Sequence, residues 1–155
     1  MSGKKPASVV VRRRIQWFDT DASTKYHNTA PLRLMEEAEV VLLGRLGILR
    51  EVYGKLPRAH ASIDYRTPLR FWDECEIRVE VSEVGRSSVT YAFTIVGPEG
   101  RVASEGKVVA VLVDDEVKPR AWPDEYRRLL LDSGPLAPDE PEPGMRSDSS
   151  PRGEG

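Results

Sequence analysis

The sequence predicts an α+β fold in which an antiparallel sheet of about five strands wraps around one central helix. Two observations support this prediction. An apolar segment with helical spacing follows an early strand, and four segments with strand-like alternation then follow one another through short turns. Strands joined by short turns are antiparallel neighbours, and each of these strands has one apolar face. The helix is the large apolar element that those faces are expected to cover.

The early strand and the helix are separated by a polar loop. Val9, Val11 and residues 15–18 predict the strand, and residues 19–29 predict the loop. Pro31 favours a helix start, because a proline lacks the N–H group that would be unpaired in a first turn. The second half of the helix is apolar nearly all round, which predicts burial on several sides. Its apolar residues recur every three or four positions, at Leu32, Met35, Ala38, Leu42, Leu46 and Leu49.

After Gly54 apolar residues recur at every second position, which predicts strands. Turns are expected at Gly85 and Arg86 and at residues 97–100, where glycine and proline cluster. A short helix over residues 123–131 is expected to close the domain. The predicted strands are residues 59–70, 76–83, 89–95 and 102–113.

The chain of 155 residues is expected to form one domain with an extension at each end. We expect residues 1–8 to be flexible and residues 9–132 to form the domain. Residues 133–155 consist mainly of Pro, Gly, Ser, Asp, Glu and Arg, which predicts a disordered tail. Few apolar side chains are present there to offset the entropy of ordering.

Composition and charge exclude several kinds of protein. The net charge of -2, from 23 basic and 25 acidic residues, gives no global field that would attract a nucleic acid. No apolar run approaches the roughly 20 residues that span a bilayer, so we expect no membrane partner and a cytoplasmic location. Cys75 is the one cysteine, and His27 and His60 are the two histidines. We therefore expect no disulfide and no metal site.

Residues 19–39, DTDASTKYHNTAPLRLMEEAE, resemble the loop and helix of the 4-hydroxybenzoyl-CoA thioesterase family. Residues 65–73, 85–91 and 119–130 are similar to later segments of that family, and the likeness extends over about residues 9–131. The resemblance implies a hotdog fold and hydrolysis of an acyl-CoA, or of an acyl group on a carrier protein, without a metal or an organic cofactor. It also implies a site built between two subunits, and so a homodimer or homotetramer.

The resemblance marks Asp21 as the catalytic carboxylate. Thioester hydrolysis needs a nucleophile or a base that activates water, and a carboxylate can serve in either role. It also needs a donor for the carbonyl oxygen as charge develops there, which free N–H groups at a helix N-terminus can supply. Taken as a residue alone, Asp21 would more often cap a turn. Asp19, two residues earlier, is expected to end the strand or to pair with an arginine.

Further catalytic candidates follow from the same resemblance. His27 and Asn28 lie where the family carries polar residues close to the reacting group, although both would also suit backbone groups near the helix start. Some hotdog thioesterases use an acid on the helix instead of the loop acid. Glu37 is the candidate for that role, whereas Glu36 is expected to face solvent.

Five residues are candidates for binding the substrate. The family usually has a glycine at the position of Thr24, where it helps the backbone to approach the thioester carbonyl, so this threonine departs from the pattern. By register with the family, phosphates of CoA are expected at Arg66, Arg86, Ser87 and Ser88. Each of these four is alternatively an ordinary surface residue.

Two rival functions remain open. A hotdog hydratase or dehydratase fits less well, because its aspartate and histidine flank a proline-containing loop, and the spacing from Asp21 to His27 does not match. A non-catalytic module that binds or senses acyl-CoA is the rival from another class, and the threonine at position 24 favours it.

Overall fold

The structure, a computed structural model, describes residues 4–139, which form a five-stranded antiparallel sheet wrapped around one long helix. This confirms the α+β hotdog architecture expected from the sequence. The strands are β1 Ser8–Arg14, β2 Arg58–Tyr65, β3 Glu74–Val84, β4 Ser88–Val96 and β5 Val102–Val111. They lie in the order β1-β3-β4-β5-β2, and all four neighbouring pairs are antiparallel. The expectation that consecutive strands are neighbours is therefore wrong for β2, which pairs with β5 and not with β3.

Three helices accompany the sheet: α1 Ala30–Leu46, α2 Leu49–Val52 and α3 Asp124–Asp132. Helix α1 ends at Gly47, whose left-handed backbone (φ 78°) closes the last turn as a glycine readily does. A single turn of 3₁₀ helix, Trp17–Asp19, joins β1 to the loop that leads into α1. None of the described helices is long and apolar enough to cross a membrane.

The core lies between α1 and the inner face of the sheet. Fully buried side chains on α1 meet fully buried side chains of the central strands, so replacing one of the leucine, isoleucine or methionine side chains by alanine should cost about 2–5 kcal/mol. The α1 members are Leu34, Met35, Ala38, Leu42 and Leu43. The sheet members include Val11, Ile77, Val79, Val81, Tyr91, Phe93, Ile95, Val108 and Ala110.

The two edges of the sheet differ. Along β1, residues 134–139 run parallel to the strand, with bonds such as Leu136 N–H to the Ser8 carbonyl (2.8 Å) and Asp139 N–H to the Val10 carbonyl (3.0 Å). At the other edge, no strand among residues 4–139 pairs with the outer side of β2. Nearly all of β2 is exposed, so an open strand edge of eight residues faces solvent.

The first strand is shorter than predicted, and the expectation of a strand through residue 18 is wrong. Strand β1 ends at Arg14, after which the Ile15 N–H bonds to the Asp73 carbonyl (2.9 Å). The chain then turns because the Asp19 carboxylate accepts the N–H of Gln16 (2.8 Å). Trp17 and Phe18 therefore lie in a turn instead of continuing the strand.

Both terminal extensions reach further into the fold than composition predicted. Ala7 is buried and donates its N–H to the Leu130 carbonyl (2.9 Å). Residues 133–139 lie along β1, and Leu136 packs against the core. Backbone hydrogen bonds to an open strand edge do not depend on composition, which is why the sequence did not reveal them. Residues 1–3 and 140–155 lie outside the described residues.

Candidate active site

The loop after β1 folds into a small antiparallel hairpin, residues 19–27. Thr20 and Tyr26 form its bridge, with bonds from the Asp21 N–H to the Lys25 carbonyl and from the His27 N–H to the Asp19 carbonyl. The buried Tyr26 anchors the hairpin, since its N–H also bonds to the Leu69 carbonyl (2.7 Å). Side chains alternate across an antiparallel pair, so Tyr26 points inward while Asp21 and His27 share the opposite face.

Asp21 lies at the tip of the hairpin with its side chain exposed. Its Oδ1 accepts the N–H (2.8 Å) and the hydroxyl of Ser23. The hydroxyl bond is the main cause that lowers the pKa of Asp21, helped by the Ser23 N–H and by the charge of His27 nearby. Within the described chain, Oδ2 accepts no hydrogen bond. Asp21 is thus an ionised carboxylate with one oxygen fixed and the other open.

Thr24 occupies the turn of the hairpin with a left-handed backbone, φ 68°. Glycine adopts this conformation without cost, whereas a β-branched residue does so rarely. The position therefore keeps the backbone geometry that a glycine would favour, and the bond from the Thr24 N–H to the Asp21 carbonyl (3.0 Å) closes the turn.

His27 and Asn28 lie where the hairpin enters α1. Nδ1 of His27 lies 2.8 Å from the Thr29 hydroxyl and 3.1 Å from the Thr29 N–H, so this ring nitrogen is held by the residue that precedes α1. The Asn28 side chain is exposed, and the backbone carbonyl of Asn28 accepts a hydrogen bond from the hydroxyl of Tyr65 at the end of β2. Across residues 4–139, the N–H groups of Asn28 and Leu32 donate no hydrogen bond. They are free donors at the positive end of α1.

Asp19 pairs with an arginine, as expected. It is buried, and its Oδ1 accepts Nε of Arg33 (2.8 Å) from the first turn of α1. Arg33 also reaches Glu37 (3.4 Å), which in turn lies 3.8 Å from Arg13 on β1. Glu37 therefore belongs to an ion-pair network that links the first turns of α1 to β1.

A buried ion pair on the other side of α1 was missed by the sequence reasoning. Glu39 is only 2% exposed, and Arg58 binds both of its carboxylate oxygens at 2.9 and 2.5 Å. The hydrogen bonds to Glu39 raise the pKa of Arg58. A signal was present in the sequence: Glu39 follows Met35 by four residues and precedes Leu42 by three, which puts it in the buried stripe of the helix. Glu36 faces the same side, 3.5 Å from Arg58.

The candidates for binding CoA lie at opposite ends of the sheet. Arg66 follows β2 at the hairpin end, exposed and paired with Glu105 (2.9 Å). Arg86 and Ser87 lie in the turn between β3 and β4 at the far end, and Ser88 is the first residue of β4. Strand β4 has nine residues and spans about 30 Å, so within one chain these three residues are remote from Asp21.

A cavity of about 620 Å³ also lies at the far end, away from the hairpin. Its walls come from α1, from residues 53–58 and from the segment that follows β5, and the Glu39–Arg58 pair contributes to the lining. A smaller depression of about 270 Å³ borders His27 and Arg33. In the part of the chain that the structure describes, no cluster of three His, Cys, Asp or Glu side chains is placed to hold a metal ion.

Comparison with known families decides the class of the protein. Residues 15–130, about three quarters of the chain, match the family described as the thioesterase-like superfamily. The chain belongs to the thioesterase-like superfamily. The matched segment begins just before the hairpin and ends in α3, so it contains every element of the candidate site. The class of enzyme expected from the sequence, a thioester hydrolase, is that of this superfamily.

Individual relatives agree with this assignment. The acyl-CoA thioester hydrolase YbgC of Escherichia coli is 27% identical over 116 residues, which cover 71% of this chain and 86% of YbgC. A Thermus thermophilus thioesterase solved with coenzyme A and Zn is 25% identical, with a TM-score of 0.72, and covers 84% of this chain and 94% of its own. A gentisyl-coenzyme A thioesterase structure is 25% identical, with a TM-score of 0.69, and covers 76% and 98%. The narrower 4-hydroxybenzoyl-CoA family stays a prediction.

Proposed function

We propose that this thioesterase-superfamily protein hydrolyses acyl-CoA thioesters on the exposed face of the 19–27 hairpin. One observation carries the proposal: the hairpin presents the ionised Asp21 carboxylate and the His27 ring on the same face, beside the free N–H groups that begin α1. Diagonal neighbours across an antiparallel pair lie about 7–8 Å apart, which leaves room for a thioester carbonyl and a water molecule between them.

Each group has a chemical role in this proposal. The Oδ2 atom of Asp21 either attacks the thioester carbonyl, giving an anhydride that water then hydrolyses, or takes a proton from the attacking water. The N–H groups of Asn28 and Leu32, with Nε2 of His27, are the donors available to the carbonyl oxygen as it gains charge. The thiolate of CoA leaves in both routes. The YbgC relative and the CoA-bound relative support CoA as the carrier, and a carrier-protein thioester is the alternative.

We further propose that the working unit is a homodimer, or a tetramer of such dimers, joined through β2. The inner side of β2 carries Ala61, Ile63 and Tyr65, which α1 leaves partly or fully exposed. An open edge beside an uncovered apolar strip suits a second copy paired about a two-fold axis. Antiparallel pairing of the two β2 strands sets the hairpin of one copy beside the far end of the other, and so beside its Arg86, Ser87 and Ser88.

The test is release of free thiol from a panel of acyl-CoAs, with Asp21→Asn and Glu37→Gln compared. The asparagine keeps the shape and removes the charge, so turnover should fall at least about a hundredfold with little change in melting temperature. Glu37→Gln should retain activity. If instead Asp21→Asn stays active and Glu37→Gln does not, the acid on the helix carries the reaction. Stabilisation of the wild type by acyl-CoA without thiol release would make the protein a binding module.

A further inference from the structure

We propose that four exposed aromatic rings beside the hairpin bind the surface of an anionic lipid bilayer. The rings belong to Trp17, Phe18, Phe71 and Trp72 and are called the aromatic patch below. Binding to a bilayer goes beyond the proposed function and does not depend on the reaction that the hairpin performs. The expectation of no membrane partner came from the lack of a long apolar run, and rings carried on short turns leave no such run in a sequence.

The aromatic patch lies where the turn after β1 meets the loop before β3. Backbone bonds join these two segments, among them the bond from the Trp72 N–H to the Ile15 carbonyl (2.8 Å). The Phe71 ring lies 5.9 Å from the rings of both Trp17 and Trp72. Despite these contacts the four side chains of the patch are 45–76% exposed, and Trp17 is the most exposed of them. The rings therefore form one continuous apolar surface that projects into solvent.

The backbone holds Trp72 at this surface in an unfavourable conformation. Its φ of 71° is left-handed, which a bulky side chain rarely adopts. The buried Arg14 keeps it there, since Nη1 of this arginine donates to the Trp72 carbonyl (2.8 Å) and its guanidinium lies 4.8 Å from the centre of the indole ring. The fold thus fixes a large ring outside the core, and strain of this kind is concentrated at functional surfaces.

Two cations beside the aromatic patch lack a partner of opposite charge. Lys25 of the hairpin and Arg70 lie directly opposite each other in an antiparallel bridge, and both side chains are exposed. Neither forms an ion pair with any of residues 4–139. The nearby Asp73 carboxylate accepts the Arg70 N–H (2.8 Å) instead. Like charges placed opposite each other across two strands repel, so an anion next to both cations is stabilising. The phosphates of anionic lipids supply that charge.

The size of the aromatic patch favours a bilayer over a protein as its partner. Its exposed fractions correspond to roughly 500 Å² of aromatic surface, as large as the apolar patches that mark interaction sites. A stable protein interface buries about 800 Å² on each partner, so the patch alone is too small for one. Tryptophan rings together with lysine and arginine are the side chains that gather at the boundary between lipid and water.

The aromatic patch is continuous with the candidate site. Phe18 and His27 line the same depression of about 270 Å³, and the Arg33 guanidinium lies 4.9 Å from the centre of the Phe18 ring. A bilayer bound at the patch therefore lies beside the hairpin. Long-chain acyl-CoAs concentrate in bilayers, because every buried CH₂ group favours the lipid. Only this advantage for the substrate rests on the proposed function.

The experiment is co-sedimentation of the protein with vesicles of phosphatidylcholine alone or of phosphatidylcholine and phosphatidylglycerol in equal parts. We expect the wild type to bind the anionic vesicles about tenfold or more tightly than the neutral ones, and high salt to remove this difference. Trp17→Ala/Phe71→Ala should weaken binding to both kinds of vesicle by at least about tenfold. Lys25→Gln/Arg70→Gln should abolish the preference for anionic vesicles.

Each variant has a matched control away from the aromatic patch. Tyr53→Ala/Val117→Ala removes two exposed apolar side chains at the far end of the sheet, and Lys107→Gln/Arg128→Gln removes two exposed cations. Both controls should bind as the wild type does. Melting temperatures of all variants check that they are folded.

Tryptophan fluorescence in vesicles of brominated lipid locates the contact. Trp17 and Trp72 should be quenched, whereas Trp122, which is 3% exposed, should not. Failure of the wild type to bind anionic vesicles, or wild-type binding by either patch variant, overturns this inference and leaves the proposed function, measured as thiol release without vesicles, unaffected. A smaller assembly of the Trp17→Ala/Phe71→Ala variant in vesicle-free buffer also overturns it, since a second copy would then cover the aromatic patch.

Discussion

Asp21 uses its two carboxylate oxygens in different ways. Oδ1 fixes the turn through Ser23, while Oδ2 is open on the exposed face of the hairpin. Capping a turn and performing chemistry, which are alternatives when only the residue type is known, are therefore compatible in one side chain. The resemblance to the thioesterase family marked Asp21, Thr24 and His27 as candidates because all three belong to one continuous loop. The ion pair between Glu39 and Arg58 was not predicted, because it joins residues that are 19 positions apart in the sequence.

Replacing Ser23 by alanine should move the acid limb of the pH–rate profile to higher pH. The Ser23 hydroxyl lowers the pKa of Asp21 by stabilising its charged form, and its loss lets that pKa rise towards the ordinary value. Since the carboxylate acts in its ionised form, activity is lost as pH falls through this pKa. At pH 7 Asp21 is ionised in both proteins, which should therefore have similar kcat.

The measurement is kcat from pH 3 to 7, with circular dichroism to exclude unfolding. Ser82→Ala, whose hydroxyl bonds to the Thr90 carbonyl, is the control; a shift in both variants, or in neither, would contradict the assignment.

At the scale of elements, periodicity predicted every strand, the long helix and the closing helix, because burial of one face leaves a direct pattern in the sequence. What it did not predict is how residues 133–139 are used. Their attachment to β1 is made mainly of backbone hydrogen bonds, together with an ion pair between Arg13 and Asp139 (2.8 Å). The proline- and glycine-containing sequence of residues 133–139 does not predict pairing with β1, because this strand lies more than 120 residues earlier in the chain.

Truncation after Asp132 should therefore destabilise the protein, while truncation after Asp139 should serve as its control. The shorter form loses the contact of Leu136 with the core and the backbone bonds to Ser8, Val10 and Arg12. Half-burying a leucine contributes about 1 kcal/mol and each hydrogen bond about 0.5–1.5 kcal/mol, so the melting temperature should drop by roughly 5 °C or more. Differential scanning calorimetry of the two forms isolates these seven residues. Equal melting temperatures would show that the segment contributes nothing to stability.

At the scale of the whole molecule, the hairpin and the large cavity lie at opposite ends of one sheet. Within a single chain they are therefore too far apart to form one site. The β1 edge is covered by the chain's own residues 134–139, whereas the β2 edge is open. Because only the β2 edge is open, self-association is expected to occur through β2. A sheet extended in this way ends at two copies, since both outer edges are then covered β1 edges. The sequence pattern predicts that β3, β4 and β5 are neighbours, because short turns join them, but it does not predict that β2 pairs with β5 instead of β3. Which edge of the sheet is open also depends on the contact of residues 134–139 with β1, which the sequence did not predict.

The replacement Ala61→Pro tests this association directly. Because the Arg66 N–H bonds to β5 (Ala103 carbonyl, 2.8 Å), alternation along β2 points the N–H groups of Ala61, Ile63 and Tyr65 to the open edge. Proline at position 61 removes an outward N–H and leaves the pairing of β2 with β5 intact, as proline does on edge strands. We expect the wild type to sediment as a dimer or larger at micromolar concentration and the proline variant as a folded monomer without activity. Ala61→Val, which keeps the N–H and favours a strand, should behave as the wild type. A wild-type monomer with full activity, or a proline variant that still dimerises, would contradict the proposed β2 interface and the shared site that depends on it.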